Sequence, residues 1–155
     1  MSGGNPPATH TPYYGKLAAA RFLGRSDSTS VVEIPLPSPF EVAYAAYEGG
    51  KLVRIAVLNM REYNSTSAIA RPAVTYSFAV NGARKGSAWT VERLTAAGSD
   101  VKTGVSFGGY AYEYSTLGKA AKAQGVAIGE SVRTGGNGVV SVQVSDSEAV
   151  VLTLS

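Results

Sequence analysis

The stretch Glu41-Val42-Ala43-Tyr44-Ala45-Ala46-Tyr47-Glu48-Gly49-Gly50-Lys51-Leu52-Val53-Arg54-Ile55-Ala56-Val57-Leu58-Asn59 decides the fold. Two strand-forming runs flank a glycine pair, and only a residue without Cβ takes the positive φ angles of a two-residue hairpin turn at no steric cost. The reading is an antiparallel hairpin, 41–48 against 51–59. Outward from it the period-two pattern continues, predicting further strands at 30–34, 73–80, 88–94, 101–107, 110–114, 138–144 and 148–154. The separators are Asn81-Gly82, Ala97-Gly98-Ser99, Gly108-Gly109, Gly135-Gly136-Asn137-Gly138 and Ser145-Asp146. Pro35, Pro37 and Pro39 close the first strand, because proline has no N–H for the ladder. Short strands with turn signals at intervals of roughly ten residues predict a mainly β fold, an antiparallel β-sandwich of about eight to nine strands.

One helix precedes it. Thr11 suits an N-cap and Pro12 the first helical position, where its missing N–H costs nothing. Tyr13, Leu17, Ala20 and Leu23 recur at steps of four, three and three, which places them on one stripe, and Gly24 can close the helix. The organisation read from the sequence is therefore a flexible arm over 1–10, a helix over 11–24 and a sandwich domain over 25–155.

A chain of 155 residues is one domain's worth and is too short for a complete (β/α)₈ barrel, which needs about 200 residues. Charged residues are 16% of the chain, below the roughly 25% of an average domain. The net charge of +3 is spread without a basic run, so no nucleic-acid partner is expected, since phosphate binding needs clustered cations. No apolar stretch reaches the ~18 residues of a membrane span, and the opening residues have no signal-peptide core. The chain is expected either to stay inside the cell or to be a segment whose start replaces upstream sequence.

Chemistry-bearing residues are few. Cysteine is absent and His10 is the single histidine, which removes thiolate zinc sites, multi-histidine metal sites and an ordered Ser-His-Asp triad. No glycine-rich segment ends in Gly-Lys-Ser/Thr before a helix, so no phosphate loop or cofactor is expected. Eight glutamates and three aspartates fall mostly at strand edges or turns and read as solvated carboxylates rather than the flanking pair of a glycosidase, which stand about 5–10 Å apart. No residue is assigned a catalytic role.

Tyr110, Tyr112 and Tyr114 alternate with Ala111 and Glu113, so on a strand all three rings project from one face. Such a row is either a platform for stacking sugar rings or part of the core and its cover. Trp89, within an alternating segment, reads as core. Asn64-Ser65-Thr66 is an N-glycosylation sequon in a loop, relevant to a secreted chain.

Five motifs in order carry a resemblance: Thr11-Pro12-Tyr13-Tyr14-Gly15 opening a helix, the hairpin Tyr47 to Asn59, Trp89-Thr90-Val91-Glu92-Arg93-Leu94-Thr95-Ala96, Gly108-Gly109-Tyr110-Ala111-Tyr112, and Ser147-Glu148-Ala149-Val150-Val151-Leu152. Together, over nearly all of residues 11–155, they resemble the C-terminal region of fungal glycoside hydrolase family 79, the β-glucuronidase and heparanase-like proteins. The resemblance implies the last helix of a catalytic barrel followed by a β-sandwich. It also implies that the family's two catalytic glutamates lie on the barrel and have no counterpart here, which makes the chain a non-catalytic accessory domain. One family contact to the glucuronate carboxylate, a tyrosine at the start of that helix, maps onto Tyr14, with Tyr13 the alternative.

The resemblance further implies a secreted protein. The competing expectation is a free-standing, lectin-like protein that binds an acidic glycan through the Tyr110 strand. The helix, clamped in that family, should carry more apolar surface than a sandwich flank can cover. It either folds back onto its own sandwich or pairs with a second chain, and of the two a homodimer through it is expected.

Overall fold

The computed structural model describes residues 9–81 and 84–155, so most of the predicted arm and Gly82 of the Asn81-Gly82 turn lie outside the described residues. Within them α1 (Thr11–Leu23) is followed by eleven strands: β1 (Thr29–Ile34), β2 (Glu41–Glu48), β3 (Lys51–Asn59), β4 (Ala73–Ala79), β5 (Ala88–Thr95), β6 (Ser106–Phe107), β7 (Tyr110–Ala111), β8 (Ala121–Lys122), β9 (Ser131–Arg133), β10 (Val139–Ser145) and β11 (Glu148–Leu154). All pair antiparallel, β1-β2-β3-β11-β5-β6-β7-β8 forming one sheet, with β9 also on β5, and β10-β4 forming a second. The expected sandwich is present. Gly49 and Gly50 turn the β2–β3 hairpin with φ of 56° and 75°, the pair of positive angles such a tight turn requires.

Alternation along the strands sorts side chains onto two faces of the large sheet. Ala43, Ile55, Val57, Trp89, Val91, Val150 and Leu152 face the small sheet's Tyr76, Phe78, Val140, Val142 and Val144 to form the main core. Trp89 is fully buried and its indole N–H donates to Thr134 Oγ1 at 2.9 Å. On the opposite face, Ala46, Ala56, Val105, Phe107 and Val151 receive Tyr14 and Phe22 of α1. Central strands covered on both faces must be apolar at successive positions, which accounts for Ile55-Ala56-Val57 and Val150-Val151-Leu152.

The helix is turned relative to the expected stripe. Tyr14 and Phe22 are buried with Leu17 and Ala18 packed beside them, a spacing of four and four, while Tyr13, Ala20 and Leu23 are exposed. The two largest rings that fit the sheet set the rotation, so the stripe is shifted by about one residue, roughly 100°. His10 rather than Thr11 is the N-cap, without a side-chain bond, and Gly24 closes the helix through its N–H to Ala20 O at 3.0 Å.

Two predicted strands are shorter than read. Of 101–107 only Ser106–Phe107 pairs, because Gly104 at φ 70° breaks the extended run. Of 110–114 only Tyr110–Ala111 pairs; the chain then enters a 3-10 turn over Tyr114–Thr116, closed by Leu117 at φ 54°. The short β8 and β9 were not predicted. Two or three residues are too few for an alternation to register.

Candidate functional site

Thr11 and Pro12 open α1, and the next two residues, Tyr13 and Tyr14, leave the helix about 100° apart, so that only one of them meets the sheet. Tyr14 goes inward: it is 1% exposed and its hydroxyl accepts the backbone N–H of Tyr112 at 2.9 Å. Tyr13, 40% exposed, turns to a surface cleft of about 440 Å³, whose walls include His10, Lys16 and Tyr112. The rings of Tyr13, Tyr14 and Tyr112 meet edge to face with centroids 5.9–6.1 Å apart, the geometry preferred by aromatic quadrupoles. Burial raises the pKa of the Tyr14 phenol, opposed by the Tyr112 N–H, and burial likewise raises that of Tyr112. Both are neutral phenols at ordinary pH, able to hydrogen-bond and pack but not to act as bases.

The cleft thus combines an aromatic wall, a lysine and an imidazole, and among the described residues no carboxylate lines it. That set can hold a small polar or anionic group; it has no acid and base pair to break a glycosidic bond. Lys16 escaped the sequence reading, and its position three residues after Tyr13, on the same helix face, is the signal that would have found it.

The predicted tyrosine row does not form. Tyr110 is half-buried within β7, Tyr112 is half-buried against α1, and Tyr114, 57% exposed, lies in the 3-10 turn. Strand pairing ends at Ala111 and the 3-10 turn begins at Tyr114, so only Tyr110 of the three lies on a paired strand.

A second surface runs along the outer face of the large sheet. Ala18, Ala19, Phe22 and Leu23 of α1 and Val31, Tyr44, Leu58 and Ala149 of the sheet line an apolar groove of about 370 Å³. A further hollow of about 260 Å³ shares Leu58, Leu94 and Ala149 and extends to Met60 and Val101. Met60 is 51% exposed and Phe40, whose carbonyl accepts the Met60 N–H at 2.8 Å, is 59% exposed.

The carboxylates are less solvated than expected. Glu41 is buried and pairs with Arg61 at 2.7 Å, while buried Asp146 accepts from Asn59 at 2.9 Å. Arg93 bridges Glu130 at 2.7 Å and Glu148 at 3.1 Å. Arg21 pairs with Glu92 and Arg54 with Glu48. Glu48 and Glu148, at strand ends, find Arg54 and Arg93 on other strands, while Glu92 takes its arginine from α1, relations that a linear reading does not show. Among the described residues no cluster of three or more His, Asp or Glu stands ready for a metal.

Asn64 lies on the surface at the head of a turn closed by Ser67 N–H to Asn64 O at 2.9 Å. Its side-chain amide donates to Glu62 at 3.0 Å and accepts from Ser99 Oγ at 3.1 Å.

The fold defines a β-sandwich domain that carries one helix on the outer face of its larger sheet. Residues 43–151 match the family model "Glycosyl hydrolase family 79 C-terminal beta domain", and the chain belongs to that family. It is 36% identical to a β-glucuronidase of Aspergillus niger, over 94% of this chain and 29% of the relative. To a β-glucuronidase of Neurospora crassa it is 29% identical, over 93% of this chain and 33% of the relative. A 4-O-α-L-rhamnosyl-β-D-glucuronidase from Fusarium oxysporum, solved with Rha-GlcA, superposes with a TM-score of 0.70 at 25% identity, covering 92% of this chain and 29% of that one. The fold is shared with a family 30 subfamily 8 xylanase from Clostridium acetobutylicum at 12% identity and a TM-score of 0.52, over 94% of this chain and 28% of the xylanase. The chain spans about a third or less of the length of these relatives.

Proposed function

We propose that this chain works as a non-catalytic β domain, a rigid support for the glucuronidase portion that its relatives carry outside the matched segment. The observation that carries the reading is the apolar outer face: α1, Leu58, Met60 and Ala149 present a nearly uncharged surface on the side where the N-terminal element of the described chain lies. A solvated face would not keep that composition, whereas a domain interface does. The engagement of Glu41, Glu92, Glu130 and Glu148 by arginines supports the same reading, because their charges are committed to contacts within the domain, Glu92 to the helix and the others to the sheets and their loops.

The test is turnover of an aryl β-glucuronide by the purified chain. The expected result is none above buffer. Hydrolysis that disappears on Glu92→Gln or Glu148→Gln would overturn the reading.

A second reading, a free-standing protein that binds an acidic glycan, is favoured by one observation, the cleft where Tyr13, Tyr112, His10 and Lys16 converge. It predicts saturable binding of a uronic-acid oligosaccharide in calorimetry that Lys16→Ala weakens. The accessory reading predicts no heat.

A further inference from the structure

We propose that Asn64 is an N-glycan acceptor, the one such site in the chain. Asn-X-Ser/Thr occurs once in the 155 residues, at Asn64-Ser65-Thr66, with a non-proline residue at the middle position. The motif alone is a weak signal. Four structural features select it.

Asn64, Ser65 and Thr66 are all exposed, so the acceptor and the hydroxyl two residues on are both presented to solvent. The Asn64–Ser67 turn projects the segment from the end of β3 instead of burying it in a ladder. The carboxamide is held at the surface by Glu62 and Ser99. A primary amide has two N–H bonds, and only one is used toward Glu62, so substitution of the other leaves that contact intact.

In the reaction the Asn64 Nδ2 forms a bond to the anomeric carbon of the first sugar of a lipid-linked oligosaccharide pyrophosphate. The anomeric C–O bond breaks, the pyrophosphate lipid leaves with the electron pair, and the amide loses one proton. The donor and its transferase belong to the secretory route.

The loop around the sequon is pinned once folded. Asp100 accepts from Ser65 N–H and Ser65 Oγ, both at 2.8 Å, and Ser99 N–H donates to Tyr63 O at 2.8 Å.

The experiment places the full chain behind a secretory leader in a yeast host and compares it with Thr66→Ala and Thr66→Ser. Thr66→Ala removes the acceptor motif yet leaves the Asn64 contacts, and Thr66→Ser keeps the motif. The expected result is a secreted wild type and Thr66→Ser heavier than Thr66→Ala by a core oligosaccharide, with the excess removed by a peptide amidase that leaves Asp at position 64. A secreted wild type of the same mass as Thr66→Ala, or an oligosaccharide that survives in Thr66→Ala, overturns the proposal.

Discussion

The Arg54 guanidinium donates to the carbonyl oxygen of Phe22 at 3.2 Å, joining the last turn of α1 to the middle of β3. The same Nη1 reaches Leu23 O at 3.3 Å, and Glu48 holds the other arm of the fork. An arginine thus satisfies carbonyls that a helix end leaves open, and its charge opposes the negative end of the helix dipole. At the other end Tyr14 accepts from Tyr112, and between them Arg21 pairs with Glu92. The helix is tied to its own sheet at three points along its length.

The C-terminal tie is sensitive to one methyl group. Gly24 has φ 74° and a Cβ there would collide with the Arg54 guanidinium. Gly24→Ala is expected to cost about 1–3 kcal/mol, from backbone strain and displacement of the arginine. Arg54→Ala should cost a similar amount without strain. Urea denaturation gives the energy, and hydrogen exchange should speed at the α1 amides first.

Trp89 closes the main core and leaves Thr134 without its partner when removed. Trp89→Phe is expected to cost about 2–4 kcal/mol, the sum of a lost buried volume and an unpaired hydroxyl. The midpoint of denaturation should fall with an unchanged slope, the mark of a native state that has weakened without changing its surface.

Tyr112 separates cover from platform. Its ring packs on Tyr13 and Tyr14, so Tyr112→Ala is expected to cost about 2–4 kcal/mol. Tyr114, exposed in its turn, should cost within about 0.5 kcal/mol on the same change. A Tyr112→Ala protein of unchanged melting temperature but weakened glycan binding would identify a platform instead.

Asp100 gives the sequon loop a pH dependence. The N–H and hydroxyl of Ser65 hold its carboxyl below the ordinary value, so the folded state binds a proton less readily than the unfolded one. Its contribution is complete above the ordinary aspartate range and is lost as pH falls through the depressed folded value. Exchange of the Ser65 amide should therefore accelerate, relative to β3 amides, only in strongly acidic buffer. Asp100→Asn should show the faster exchange at neutral pH and flatten the profile.

The β2–β3 hairpin was legible from its glycine pair, β4 and β10 from alternation over seven residues each, and β11 from a run rich in apolar residues that follows the Ser145-Asp146 turn signal. The tyrosine row was not, since Tyr112 and Tyr114 lie beyond the point where Ala111 ends the strand, and nothing in Glu113 announces a 3-10 turn. The arginine ties were also hidden. Arg54 reads as an ordinary strand cation until α1 is laid across the sheet, a relation 32 residues apart in the chain. The cleft was half legible: Tyr13 was named, while Lys16 and His10 acquire meaning only when Tyr112 arrives opposite them.

The outer groove makes the last prediction. Leu17 is turned onto the chain's own sheet, so the surface left for a second chain is Leu23, Ala19, Val31 and the exposed Met60 and Phe40. A contiguous exposed apolar surface marks an interaction site, and two-fold pairing is the commonest way in which copies of one chain cover such a surface. The isolated chain is therefore expected to dimerise with α1 near the axis. Leu23→Glu should convert it to a monomer and abolish the rise of the unfolding midpoint with protein concentration that a dimer shows. Leu17→Glu should instead lower stability by about 1–3 kcal/mol through a charge forced against Val53 and its neighbours in the helix–sheet cluster. Light scattering and urea titration on the three proteins read both effects, and a wild type that stays monomeric at high concentration would exclude the dimer.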